Sequence, residues 1–180
     1  MLQLRSSSLA DTHAIAAGIA GLARPGDIIV LSGEMGAGKT AFAQGFGRAL
    51  GVTEPITSPT FTLVHSYACD RLTLHHADLY RLERTTEVSE LALAELAEFD
   101  GVVLVEWGDV AEAALGEHLV VHLESDVDEL DDDPEEAAPS DAFDDVVSVD
   151  EPRTIEISAV GPGWAGRWGR LVAACEAFRC

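Results

Sequence analysis

Two runs in this chain are apolar at nearly every position rather than at alternate ones. Ile28–Ser32 (IIVLS) and Gly101–Trp107 (GVVLVEW) stay apolar up to their last one or two residues. A strand buried on both faces has this pattern, as the central strands of a parallel sheet do. Segments with helical spacing lie around them. Ile15, Ile19 and Leu22 predict a helix starting near Asp11, a good N-cap residue. Phe42 and Phe46 predict a second, running to about Leu50 with Gly51 at its end. Thr57–Tyr67 reads as a loop entering a strand, and Leu72–Tyr80 (LTLHHADLY) as another strand after a tight turn. Thr86–Phe99 is predicted helical, with Val88, Leu91, Leu93 and Leu96 as its apolar stripe. His118–Glu124 and Arg153–Val160 form a predicted strand pair. Trp164, Trp168, Leu171, Cys175 and Phe178 fall on one face of a final helix, which reads as core packing. Strand and helix signals alternate, so the fold class expected is α/β, a mostly parallel central sheet between helical layers.

Composition changes this picture in one place. The chain has 180 residues, the size of one domain, and 47% are hydrophobic. Its net charge of −21 is concentrated: 13 of the 32 acidic residues lie between Ser125 and Glu151, where there is no basic residue. The other 19 face 11 bases, which is an ordinary surface. The acidic stretch is too charged to pack, so a disordered, solubilising insertion at about 125–151 is expected within a single domain spanning 1–180. Neither charge balance suits direct nucleic-acid binding, which draws on bases that neutralise phosphates. Cys69, Cys175 and Cys180 lie far apart, which argues against a disulfide framework or a structural zinc site. No apolar run is long enough to span a bilayer, and the first residues lack a signal peptide's apolar stretch; a cytoplasmic protein with no membrane role is expected.

The candidate chemistry begins at Gly33-Glu-Met-Gly-Ala-Gly-Lys-Thr40, which fits G-x-x-x-x-G-K-[ST], the P-loop pattern. Lys39 is the only lysine in the chain. Glycines at 33, 36 and 38 let the backbone curl its N–H groups toward phosphate oxygens, and the following helix adds its positive end. The nucleotide-binding candidates are Gly33, Gly36, Ala37, Gly38, Lys39, Thr40 and Ala41. Lys39 would reach the β- and γ-phosphates, and the Thr40 hydroxyl would ligate Mg2+. This makes the expected fold a P-loop NTPase-like three-layer α/β/α sandwich.

Such a site needs an acid at the end of a neighbouring strand. Glu106 ends the second apolar run and is the better match; Asp78 ends the less uniformly apolar LTLHHAD. His75 and His76 are adjacent on a strand and face opposite sides, so they are badly placed to share a metal. His76, Asp78 and Tyr80 share one face, either as a hydrogen-bonded group beside the phosphates or around a satisfied core histidine. His118 and His122 alternate with Leu119, Val121 and Leu123, which predicts that both face solvent. Ser58–Phe61 (SPTF) lies where a switch loop would, and Thr60 could sense the γ-phosphate or its metal; a proline-initiated turn is the plainer alternative.

Taken together and in this order, GEMGAGKT, SPTFTLVHSY, HADLYRL and VEWGD resemble the TsaE (YjeE) family of small bacterial P-loop ATPases, over about Asp11 to Glu124. The resemblance implies a role in forming N6-threonylcarbamoyladenosine at position 37 of tRNAs that read codons starting with A. It implies ATP as substrate, Mg2+ as cofactor, and a TsaB–TsaD heterodimer as partner, with tRNA met only through those partners. Carried onto this chain, Thr40 and Glu106 would hold the metal. Asp78, Glu106 and Thr60 would be the catalytic candidates, and Trp107 would shape the site or report on it. The acidic stretch after Glu124 departs from the family. A small-molecule P-loop kinase is the alternative function, although only Arg81 and Arg84 form a close arginine pair near a motif. A nucleotide-gated binding module is a third class.

Overall fold

The computed structural model describes residues 1–82, 85–98, 100–108, 115–126 and 151–180. Seven strands form one sheet: β1 (Leu2–Ser6), β2 (Ile28–Ser32), β3 (Val64–Ala68), β4 (Thr73–Asp78), β5 (Gly101–Glu106), β6 (His118–Ser125) and β7 (Arg153–Val160). Their spatial order is β1-β7-β6-β2-β5-β4-β3. The four central strands, β6, β2, β5 and β4, run parallel. The outer strands β7, β1 and β3 are antiparallel to their neighbours. The two uniformly apolar runs, β2 and β5, lie side by side near the middle and are buried at every residue.

The period of a strand splits these two runs between two cores. Ile29, Leu31, Val102 and Leu104 point to one face, against α1 (Leu9–Ala20), α2 (Lys39–Ala49) and α5 (Trp168–Ala174). Ile28, Val30, Val103 and Val105 point to the other, against Val88 of α3 (Thr85–Glu90) and Leu93 and Ala97 of α4 (Leu93–Glu98). The result is the expected α/β architecture in three layers.

Several local expectations change. The first helix begins two residues before Asp11: Ser8 is the N-cap, and its Oγ accepts the Asp11 N–H at 3.1 Å. Asp11 instead accepts the Ser7 N–H, so both residues serve the helix start. The edge strand β1 carries little sequence signal and forms because β7 offers it a ladder.

The segment predicted as one helix over Thr86–Phe99 is two short helices, with Ala92 in the left-handed region (φ 50°) between them. On one continuous helix Val88 and Leu93 would point about 140° apart; the break lets both be buried against the sheet. Phe99 lies outside the described residues. The final helix is likewise interrupted by 3-10 turns at Ala165–Arg167 and Glu176–Phe178. Its apolar face survives: Trp164, Leu171 and Cys175 are buried, and Trp168 and Phe178 pack against them.

His118 is not on the solvent face. It is buried at the start of β6, where the preceding turn folds back and Gly116 O lies 2.8 Å from its Nδ1. His122 is exposed, as predicted. The insertion predicted at about 125–151 has described ends: Ser125 closes β6, and the Asp126 N–H donates to Pro152 O at 3.0 Å. Residues 127–150 lie outside the described residues.

Candidate functional site

The loop between β2 and α2 sits at the carboxyl ends of the parallel strands, where open α/β sheets place their ligands. Its glycines are required by geometry. Gly33 has φ 133°, and a Cβ there would lie 2.1 Å from Leu123 O at the end of β6. Gly38 has φ 98°, and a Cβ there would overlap the Arg153 guanidinium. Gly38 is also the residue before α2, with no side chain capping the helix. The first-turn N–H groups of an 11-residue helix therefore open onto the loop. Ala37 and Ala41 turn their side chains inward, so what they offer the site is backbone.

Lys39 is buried, and its Nζ donates to Gly33 O at 2.8 Å and Glu34 O at 2.7 Å. The same ammonium lies 3.7 Å from the centroid of the Trp107 ring, a cation–π contact. Trp107 holds the left-handed region (φ 59°), unusual for a bulky residue and a form of strain that clusters at functional sites. Its N–H donates to Leu31 O, which pins the residue after Glu106 to the strand leading into the loop.

Glu106 is buried at the end of β5, paired in register with Leu31 on one side and Asp78 on the other. Its carboxylate accepts the Thr40 hydroxyl at 3.1 and 3.2 Å and lies 2.8 Å from Nε2 of His76. An ionised carboxylate only accepts, so opposite an ionised Glu106 this bond takes its proton from His76 Nε2. His76 is fully buried, and its Nδ1 meets no partner among the described residues. His75 points to the opposite face, where Ser66 Oγ lies 2.8 Å from its Nδ1. Burial lowers its pKa, which favours the neutral ring.

Asp78 does separate work. One carboxylate oxygen accepts the hydroxyls of Ser58 at 2.5 Å and Thr60 at 3.0 Å; the other accepts the Tyr80 N–H at 2.9 Å. The Asp78 N–H donates to Leu63 O, and Leu63 is itself left-handed (φ 63°). Asp78 thus ties down the Ser58–Phe61 loop, whereas Glu106 holds Thr40. Tyr80 stacks at an angle on Trp107, with ring centroids 5.1 Å apart. All ten sequence-predicted site residues lie at this end of the sheet. Three residues outside the predicted set support this end of the sheet: Ser58, which shares Asp78 with Thr60; His76, which takes the hydrogen-bonded one of its two expected roles, in its bond to Glu106; and Arg153, against Gly38. Alternate hydroxyls in Ser58-x-Thr60 were a readable hint, whereas the other two depend on register and topology.

The hard oxygens of Thr40 and Glu106 suit Mg2+, an ion that keeps several waters and takes few protein ligands. Among the described residues no group of three or more His, Cys, Asp or Glu could hold a metal, so a softer, fully protein-bound ion has no site there. No helix among them is long and apolar enough to cross a membrane.

Residues 6–133 match the family described as Threonylcarbamoyl adenosine biosynthesis protein TsaE. The TsaE protein of Bacillus subtilis is 43% identical over 114 residues, which cover 63% of this chain and 71% of that protein. The TsaE protein of Streptomyces coelicolor is 36% identical over 149 residues, covering 82% and 89% respectively. Among solved structures, Bacillus subtilis YdiB aligns with a TM-score of 0.68 at 32% identity, over 98% of this chain and 94% of that one. With the glycine-loop geometry, the Thr40–Glu106 hydrogen bond and these matches in agreement, the chain belongs to the TsaE family.

Proposed function

We propose that this protein is the ATP-binding and hydrolysing component of the bacterial machinery that forms N6-threonylcarbamoyladenosine at position 37 of tRNAs reading codons that start with A. It acts with a TsaB–TsaD heterodimer and meets tRNA only through that partner, in the cytoplasm. The observation that carries the reading is the Thr40–Glu106–His76 group beside the Lys39 loop. A hydroxyl and a buried carboxylate converge where a nucleotide-bound Mg2+ would sit, and a histidine holds the carboxylate in place. When bound, Mg2+ would offset charge on the β- and γ-phosphate oxygens. Lys39 and the loop N–H groups would grip the phosphates, and Asp78 would hold Thr60 at the reacting end. An acidic surface with one lysine is a poor surface for gripping tRNA, which supports a division of labour with partners.

The test is phosphate release from Mg·ATP by the purified protein, alone and with the TsaB–TsaD heterodimer from the same organism. Slow release alone with several-fold stimulation by the heterodimer is expected. Binding without stimulation would count against the partner assignment and favour a kinase, to be pursued with small phosphate acceptors.

A further inference from the structure

Among the described residues two arginines are buried, and they are treated differently. Arg167 is balanced by a carboxylate: its two terminal nitrogens lie 2.5 and 2.7 Å from the oxygens of Asp27. Arg153 is only 2% exposed, yet no carboxylate among the described residues forms an ion pair with it. Its partners are backbone carbonyls at the limit of hydrogen-bonding range: Nη1 donates to Ala37 O, and Nε and Nη2 to Glu151 O, all at 3.4 Å. The guanidinium rests against the Gly38 Cα, so closely that a Cβ at position 38 would come within 1.9 Å of Nη1. A glycine at 38 therefore admits a cation as well as permitting a turn.

A buried guanidinium with weak neutral partners is costly unless an anion completes it. Burial works against its charge, and Glu151 acts in the opposite direction. The anion that fits is the one the adjoining loop is shaped to hold, because Gly38 and Lys39 carry N–H groups of the phosphate cradle at the start of α2. We propose that Arg153 is a second cation of the phosphate site, clamping the Ala37–Gly38 backbone and adding its charge to that of Lys39. It sets affinity according to phosphate charge, favouring nucleoside triphosphate over diphosphate. This inference rests on the loop being a nucleotide site. It extends that site to β7, on the far side of β6 from the loop's own strand.

The experiment measures dissociation constants of ATP and ADP for wild type, Arg153→Gln, Arg153→Lys and Lys39→Ala, by calorimetry in EDTA at two salt concentrations. Arg153→Gln is expected to weaken ATP about 10-fold or more, as loss of a charged contact does. ADP should weaken by a smaller factor, and Arg153→Lys should recover most of the loss. Unchanged affinities would overturn the proposal. So would equal losses for ATP and ADP with no recovery by lysine, since that is the signature of a purely structural brace. Should Arg153→Gln fail to fold, the Nε–Hε resonance of Arg153 in wild type, titrated with pyrophosphate, decides: a shift supports the proposal and an unmoved resonance overturns it. Wild type binding ATP no better than Lys39→Ala would instead strike at the nucleotide reading itself.

Discussion

Lys39 and Glu106 are held at one end of the sheet, and the proposed function gives them separable steps. Lys39→Ala removes the ammonium that would meet the phosphates, and ATP affinity is expected to fall about 100-fold or more. Glu106→Ala leaves the loop and its lysine in place. ATP affinity in EDTA should then change less than about 3-fold, while phosphate release at saturating Mg·ATP falls about 100-fold or more. Calorimetry and a phosphate assay separate the two, and unchanged hydrolysis in either variant would remove that residue from the site. Lys39 and Thr40 were legible because the motif fixes them by spacing. Glu106 was legible because an acid ending a uniformly apolar strand has few structural reasons to be there. The bond from His76 to Glu106 was not, because it depends on the register that sets His76 opposite Leu104 and Asp78 opposite Glu106. Nothing local to HADLY encodes that alignment.

At the scale of elements, the last segment is held by one polar anchor and one thiol-bearing core face. Arg167 bridges Asp27, Leu22 O at 2.9 Å and Gly163 O at 3.0 Å, and lies 4.0 Å over the Trp164 ring. It fastens the C-terminal helix to the turn between α1 and β2. Arg167→Met strands the Asp27 carboxylate and should cost about 3 kcal/mol, read as a lower urea midpoint. Asp27→Asn with Arg167→Met should recover part of that loss if the cost is the stranded charge. Cys175 faces the same core, and burial raises its thiol from 9.0 to about 11. The folded state thus holds a proton that the unfolded chain releases first. Its contribution is complete below pH 9 and is lost as pH climbs toward 11, on the order of 2 kcal/mol in all. Cys175→Ser should show a smaller decline over that window than wild type in denaturation curves. The apolar face of this segment was legible from spacing, but its interruptions were not. Breaks at Ala92 and around Trp168 arise where the surface to be covered does not follow a continuous helix.

At the scale of the whole molecule, the phosphate loop is enclosed by strands from both halves of the chain. Leu123 at the end of β6 touches Gly33, and Arg153 at the start of β7 touches Gly38. The acidic stretch joins these two strands, and its described ends are already held together by the Asp126–Pro152 hydrogen bond. Replacing residues 127–150 with a short glycine-rich link should therefore leave ATP affinity within about 3-fold of wild type. Stability should be unchanged or higher by about 1 kcal/mol, since shortening a connection lowers the entropic cost of closing it. Loss of folding on thermal scans would show that the segment is structural. The sequence by itself determined the layered α/β class and the central place of β2 and β5, and it singled out Gly33, Gly36–Ala41, Glu106, Asp78 and Thr60, which the fold gathers at one end of the sheet. Those features rest on hydrophobic period and on motif spacing, which are local. Only the tertiary structure decided that His76 serves Glu106, that Ser58 and Thr60 share Asp78, that His118 is buried, and that a strand more than a hundred residues away brings Arg153 to the phosphate loop. Each of these depends on strand order and register, which are settled by how the whole sheet packs between its two helical layers.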